Sequence, residues 1–294
     1  MDEKSAFKLL HSPLEILPST VAQGIIQRLD SVINYQPVIG IMGKTGAGKS
    51  SLCNALFQKP VSAVGHSRAC TREPQRFHLK AGNRIVTLID LPGVGESQEY
   101  DEEYRALYQS VLPELDLILW LIKADDRALS VDGEFWHNVL RPGTQHSDKV
   151  LVIVSQGDKT EPCREWDGAL NTPSAAQLVH MQDKTDVIRL LFRAPSLPIV
   201  TVSADTGWQM QALVEKMFKS LPARSSSAVS SLVNPLYRNE TVLKKARQDF
   251  GDVLDETLSA CVDEFPLPRA VTHVVRKVID TLVSTARSIW NFFF

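Results

Sequence analysis

A chain of 294 residues with 32 Lys+Arg against 34 Asp+Glu has a formal charge of −2, which excludes nucleic-acid binding driven by overall charge. Its 44% hydrophobic and 22% charged residues exclude a disordered, collagen-like or coiled-coil-only chain. The cysteines Cys53, Cys70, Cys163 and Cys261 stand singly, without C-x-x-C or metal-ligand spacing, so reduced thiols are expected.

The opening MDEKSAFKLL has no apolar signal core, and no later run has the length of a spanning helix, so a cytoplasmic protein is expected. Next, Leu14, Leu17, Val21, Ile25, Leu29, Val32 and Ile33 recur at steps of three and four. That spacing predicts an amphipathic helix over 18–34, within an N-terminal segment 1–36. Short apolar runs follow at 38–42, 77–80, 85–90, 115–122, 150–154 and 198–202. They alternate with helical patterns at 49–57, 102–112, 131–140, 174–192 and 208–221. The alternation predicts an α/β domain over 37–221, a six-stranded mixed sheet between two layers of helices. Only Ala81-Gly82-Asn83 separates the second and third runs. That is too short for a crossover, so one edge strand is expected to be antiparallel.

Residues 222–231, PARSSSAVSS, read as a polar linker. Beyond it, 232–294 carries two apolar helical stripes separated by Pro266 and Pro268. This is expected to be a helical extension outside the α/β core. The last helix sets Arg269, Arg276, Lys277 and Arg287 against Asp280 beside its stripe. Contact with RNA or an anionic membrane surface is conceivable for such a helix, but packing of the stripe on neighbouring helices is the preferred expectation.

The segment Gly43-Lys44-Thr45-Gly46-Ala47-Gly48-Lys49-Ser50 fits G-x-x-x-x-G-K-[ST] between a strand and a helix. Glycines let backbone N–H groups wrap phosphates, and the helix N-terminus adds partial positive charge. Lys49 is expected to reach the β- and γ-phosphates and Ser50 to ligand Mg²⁺, with Ser51 adjoining. Downstream, Asp90-Leu91-Pro92-Gly93 is a D-x-x-G element at a strand end. There Asp90 can hold the Mg²⁺ shell and the Gly93 N–H can report the γ-phosphate. Thr71, in the polar loop between Ser50 and Asp90, is placed to close the Mg²⁺ sphere. Asp158 ends the fifth apolar run and Ser203-Ala204 the sixth. A carboxylate accepts from N1–H and N2–H₂ of guanine, whereas adenine has no N1 donor, so Asp158 selects GTP.

In this order the motifs resemble those of the translation-factor-related GTPases of the Era and HSR1 type, over roughly 37–221. Within that group the chain looks most like the small HSR1-related GTP-binding proteins of enterobacterial prophages. The resemblance implies a Ras-like P-loop G domain that binds GTP/GDP and Mg²⁺. It makes Gly43 to Ser51, Gln156, Asp158, Ser203 and Ala204 the nucleotide contacts. It makes Ser50, Thr71 and Asp90 the metal ligands, and Lys49, Thr71 and Gly93 the catalytic set. The base-reading boxes depart from the family pattern: Ser155 stands for Asn, Gln156 for Lys, and Asp205 follows Ser203-Ala204 in place of Lys.

Val94 occupies the position where Ras-like proteins orient water with Gln, and Gly46 stands where a potassium-recruiting Asn is found in some relatives. Slow intrinsic hydrolysis is therefore expected, with Arg68 and Arg72 as transition-state candidates in cis. A nucleotide-dependent homodimer and an effector protein of unknown identity are the expected partners, and DNA is not. The alternatives are a nucleotide-dependent self-assembling scaffold and, less favoured by Asp158, a P-loop ATPase.

Overall fold

The computed structural model describes residues 2–57, 74–91, 101–140, 147–265 and 267–294, with only the backbone for 101–105. Thr71, Gly93, Arg68, Arg72 and Val94 lie outside the described residues.

The strands β1 (Val38–Met42), β2 (Gln75–Ala81), β3 (Arg84–Asp90), β4 (Leu117–Lys123), β5 (Val150–Ser155) and β6 (Ile199–Thr201) form one sheet in the order β2-β3-β1-β4-β5-β6. β4 and β5 are almost wholly apolar because both of their faces are covered, as parallel central strands require. All pairings are parallel except β2 with β3, whose register runs from Ala81↔Arg84 to Gln75↔Asp90. The six-stranded mixed sheet and its antiparallel edge are those predicted from the alternating runs. β2 is longer and β6 shorter than the apolar runs suggest.

One sheet face is covered by α4 (Asp101–Val111), α5 (Ser130–Phe135) and α6 (Ala175–Phe192). Its centre is aromatic: Trp136 stacks on Phe192 with centroids 5.1 Å apart, beside Trp120. The opposite face receives α3 (Lys49–Leu56), α7 (Met210–Ser220) and the terminal helices. At the N-terminus, α1 (Glu3–His11) starts with Asp2 accepting from Ser5 N at 2.9 Å. After a 3-10 turn, α2 (Ser19–Ile33) buries Val21, Ile25, Leu29 and Ile33, the stripe read from the sequence. The short α1 carries too few apolar residues to register as a periodic pattern.

Two expectations about the tail are corrected. Residues Ala223–Ser230 form a helix, α8, with Ser225, Ser226, Ser227 and Ser230 buried, where composition suggests a linker. Two of the hydroxyls find partners on distant elements: Ser226 Oγ donates to Asp249 at 2.6 Å, Ser227 Oγ donates to Ala246 O at 3.0 Å, and Trp290 Nε1 donates to Ser227 Oγ at 2.8 Å. Buried polar groups are tolerated when so paired, and small side chains let α8 settle against α9 (Glu240–Asp263). Secondly, α9 and α10 (Arg269–Ser288) do not stand outside the core. Leu254, Leu258, Val278 and Leu282 belong to the same buried cluster as Ile39, Ile41 and Leu119 of the sheet. The α10 stripe, Val275, Val278, Ile279, Leu282, Val283 and Ala286, is thereby buried. Among the described residues no helix is long and apolar enough to cross a membrane.

Two buried charges fasten these layers. Asp116, fully buried at the start of β4, accepts from Tyr35 Oη at 2.9 Å, Val38 N at 3.0 Å and Arg224 of α8 at 3.0 Å. Arg84 of β3, 2% exposed, donates to Phe293 O at 3.0 Å, Ile33 O at 2.5 Å and Asn34 Oδ1 at 2.6 Å, and pairs with Glu3. A chain ending at Leu221 would strip α8 to α10 from this face and expose α2 and the sheet. It is expected to elute as aggregate in size-exclusion chromatography, because an apolar area of that extent is not left open by soluble monomers. A monomeric fragment with the melting temperature of the whole chain would show the terminal helices to be dispensable.

Candidate functional site

β1 ends at Met42 between β3 and β4, and the chain turns through residues 43–48 into α3. Glycines with positive φ make the turn possible. Gly43 has φ 144°, and a Cβ there would lie 2.5 Å from Leu121 O; Gly48 has φ 89°, left-handed, immediately before the first helical residue. Ala47 N donates to Lys44 O at 3.0 Å, closing the loop. The unpaired amides of the first turn of α3 therefore face outward at the sheet's C-terminal edge, where parallel α/β folds bind ligands.

Above the loop lies a cleft of about 590 Å³. Thr45 to Leu52 form its floor, Ser155, Gln156, Asp158 and Lys159 one wall, and Ser203, Ala204 and Asp205 the adjoining wall. The glycine-rich loop, Asp158 and the Ser203-Ala204 loop are thus brought to one cavity from three separate strands. Lys49 Nζ donates to Gly43 O at 2.8 Å, which holds the ammonium at the loop.

Asp90, at the end of β3, also lines this cleft and a contiguous cavity of about 150 Å³ shared with Lys49, Ser50 and Cys53. Its Oδ1 is buried without a hydrogen-bond partner among the described residues. Burial raises the Asp90 pKa and Lys49 opposes that rise. Burial also pushes the Cys53 thiol up to about 12, so it stays protonated. An orphaned carboxylate oxygen beside a serine hydroxyl is an all-oxygen donor set suited to a hard divalent cation, so the residues present fit Mg²⁺.

The two departures from the family's base-reading box have a structural role here. Ser155 Oγ donates to Ala47 O at 2.7 Å and Gln156 Nε2 donates to Gly46 O at 2.9 Å, so both tie the wall to the phosphate loop. Gln156 adopts φ 57°, and Lys159 Nζ donates to its Oε1 at 3.3 Å.

Lys44, expected among the nucleotide contacts, turns its side chain away from the cleft. It meets Asp126 Oδ2 at 2.8 Å, Asp132 Oδ2 at 2.7 Å and Ala128 O at 2.6 Å. Asp126, Asp132 and Lys184 are residues that sequence reasoning missed. They belong to no periodic or motif pattern, and Asp126 lies 82 residues from the lysine it pairs with.

Residues 38–156 match the family model described as a 50S ribosome-binding GTPase. The chain is 46% identical over 295 aligned positions to the uncharacterized Escherichia coli protein YkfA, covering 100% of both. It is 44% identical over 286 positions to E. coli YfjP, covering 97% of each. Among solved structures it is similar to Era in complex with MgGDPNP and a 16S ribosomal RNA segment, at 25% identity and a TM-score of 0.46 over 64% of this chain and 58% of that one. The correspondence with YkfA runs from end to end, terminal helices included, and the matched segment holds the phosphate loop and the strand carrying Asp90. The chain accordingly belongs to the HSR1-related family of P-loop GTPases.

Proposed function

We propose that the protein binds Mg·GTP in the cleft above residues 43–50 and hydrolyses it slowly to GDP, with the loops around Thr71 and Gly93 ordering on the γ-phosphate. The observation that carries this reading is the presence of Asp158 in the same cavity as the phosphate loop, on a wall that Ser155 and Gln156 bond to that loop.

A nucleotide with its phosphates over Gly46 to Ser50 extends its base toward Asp158 and the Ser203-Ala204 loop. Guanine then offers the carboxylate two donors, and adenine offers none at N1. The amides at the α3 N-terminus and the Lys49 ammonium supply positive charge to the phosphates. Asp90, Ser50 and Thr71 are the side chains that would hold Mg²⁺, which when bound neutralises charge on the β- and γ-phosphate oxygens. Val94 presents no group to align water, which supports low intrinsic turnover.

Calorimetric titration with GTP, GDP and ATP in the presence of Mg²⁺ tests the assignment. GTP and GDP are expected to bind, with ATP weaker by tenfold or more, roughly the cost of a buried carboxylate left without its donors. Asp158→Asn is expected to lower GTP affinity by about tenfold or more and to remove the preference over ATP, because one acceptor becomes a donor. Equal binding of the two triphosphates by the native chain would overturn the guanine reading.

A further inference from the structure

The phosphate-loop lysine that leaves the cleft belongs to a charged cluster with no assigned part in binding. Lys44 Nζ donates to Asp126 Oδ2 at 2.8 Å and to Ala128 O at 2.6 Å, and forms an ion pair with Asp132 Oδ2 at 2.7 Å, an oxygen that has no hydrogen-bond partner among the described residues. Lys184 of α6 donates to the carbonyl of Asp126, and Asp126 Oδ1 accepts from Ala128 N at 2.9 Å. The loop after β4, the first turn of α5 and the middle of α6 therefore converge on residue 44. Two cations and two carboxylates leave the cluster without net charge.

One member of the cluster is shielded from water, while the Lys44 and Asp126 side chains stay partly exposed. Asp132 is 1% exposed, and burial raises its pKa against the pull of Lys44. Burial by itself would lower Lys44, but Asp126 and Asp132 more than reverse this and leave it raised. Removing one partner of such a set strands a buried charge, which is far costlier than losing a surface ion pair.

The anchored residue is also part of the loop's own turn, since Lys44 O accepts from Ala47 N at 3.0 Å. On the opposite flank, Gly46 O and Ala47 O are held by Gln156 and Ser155. The loop is thus gripped on one side by hydrogen bonds from the end of β5 and on the other by ion pairs to the β4–α5 connection and α5.

We infer that Lys44 is a positioning residue that preorganises the phosphate-binding loop through Asp126 and Asp132 and makes no side-chain contact with nucleotide. This rests on the reading of the cleft as a guanine-nucleotide site. A cradle held in shape ahead of binding serves the phosphates that GTP and GDP share, so its loss weakens both nucleotides alike.

The test uses the full chain as wild type, Lys44→Met, Lys44→Arg, Asp132→Asn and the double variant Lys44→Met/Asp132→Asn. Calorimetry gives Mg·GTP and Mg·GDP affinities, and hydrogen exchange gives the protection of amides 43–49 without nucleotide. Lys44→Met is expected to weaken both nucleotides by about tenfold, and the double variant to bind no more weakly than Lys44→Met alone, because interacting residues are non-additive. Lys44→Arg, which keeps a charge able to meet both carboxylates, is expected to restore affinity to within about threefold. Exchange of the loop amides is expected to rise about tenfold in Lys44→Met while β1 and β5 stay protected.

A Lys44→Met effect undiminished in the Asp132→Asn background, a loss confined to GTP, or unchanged loop exchange would overturn the inference. Should Lys44→Met fail to fold, Asp132→Asn and Lys44→Arg decide it by the same readouts. Should the wild type bind no guanine nucleotide, the reading of the cleft fails, and the exchange measurement alone then settles whether Lys44 shapes the loop.

Discussion

Replacing Lys49 by Met is expected to weaken Mg·GTP binding about 100-fold, equivalent to about 2.7 kcal/mol. Lys49 stands at the first position of α3, with its ammonium 2.8 Å from Gly43 O, at the mouth of a loop whose amides face the cleft. A charge-assisted hydrogen bond to phosphate is worth roughly 1.5–3 kcal/mol, and no other lysine or arginine lines the floor of the cleft among the described residues. Lys159, on the wall, is held toward Gln156 and cannot substitute. Met retains the apolar stem, so the fold should be unaffected. Affinity within about threefold of wild type, with an unchanged melting curve, would remove the nucleotide site from this cleft.

The second large effect concerns stability. Arg84→Met is expected to cost about 3 kcal/mol, from the carbonyls and the carboxylate that lose a buried donor. In a chain of this size that lowers the melting temperature by roughly 5–10 °C. Arg84 joins the hairpin end of β3 to Glu3 of α1, to Ile33 and Asn34 at the end of α2, and to Phe293 near the C-terminus. Its guanidinium also lies over the Phe294 ring, 5.2 Å from the centroid. Burial lowers the guanidinium pKa and Glu3 opposes that, the signature of a charge kept inside only by its partners. Both ends of the chain should therefore loosen together, seen as early cleavage near residues 3 and 290 in limited proteolysis. Glu3→Gln, which alters a partly exposed carboxylate, should cost no more than about 1 kcal/mol. A melting temperature unaffected by Arg84→Met would mean that the termini dock without this clamp.

Much of the G-domain architecture is legible in the chain itself. The six strands follow from short apolar runs, and the antiparallel edge follows from a connection between β2 and β3 too short for a crossover, Gly82-Asn83 in the structure. The phosphate loop is legible because its requirements are local: left-handed or sterically crowded turns need glycine wherever they occur. Local reading failed at α8, where serines that look like a linker are buried against partners on α9 and against Trp290 beyond α10. It missed α1, whose only buried apolar residues are Ala6 and Leu10. It gave no direction for the Lys44 side chain, because the motif fixes the residue but not which way it points.

Sequence by itself determined the order of elements, the glycine turn, the lysine that opens α3 and the acid that follows β5, because these depend on neighbours a few residues away. Tertiary structure decided what the nonstandard Ser155 and Gln156 do, where Lys44 points and how the termini are held. Each of those depends on a partner met across the fold: Ser155 and Ala47 are 108 positions apart, and Arg84 and Phe293 are 209 apart. A hydroxyl, an amide or a buried charge carries no address in its own segment, and its role is set by whichever acceptor the packed layers bring within reach.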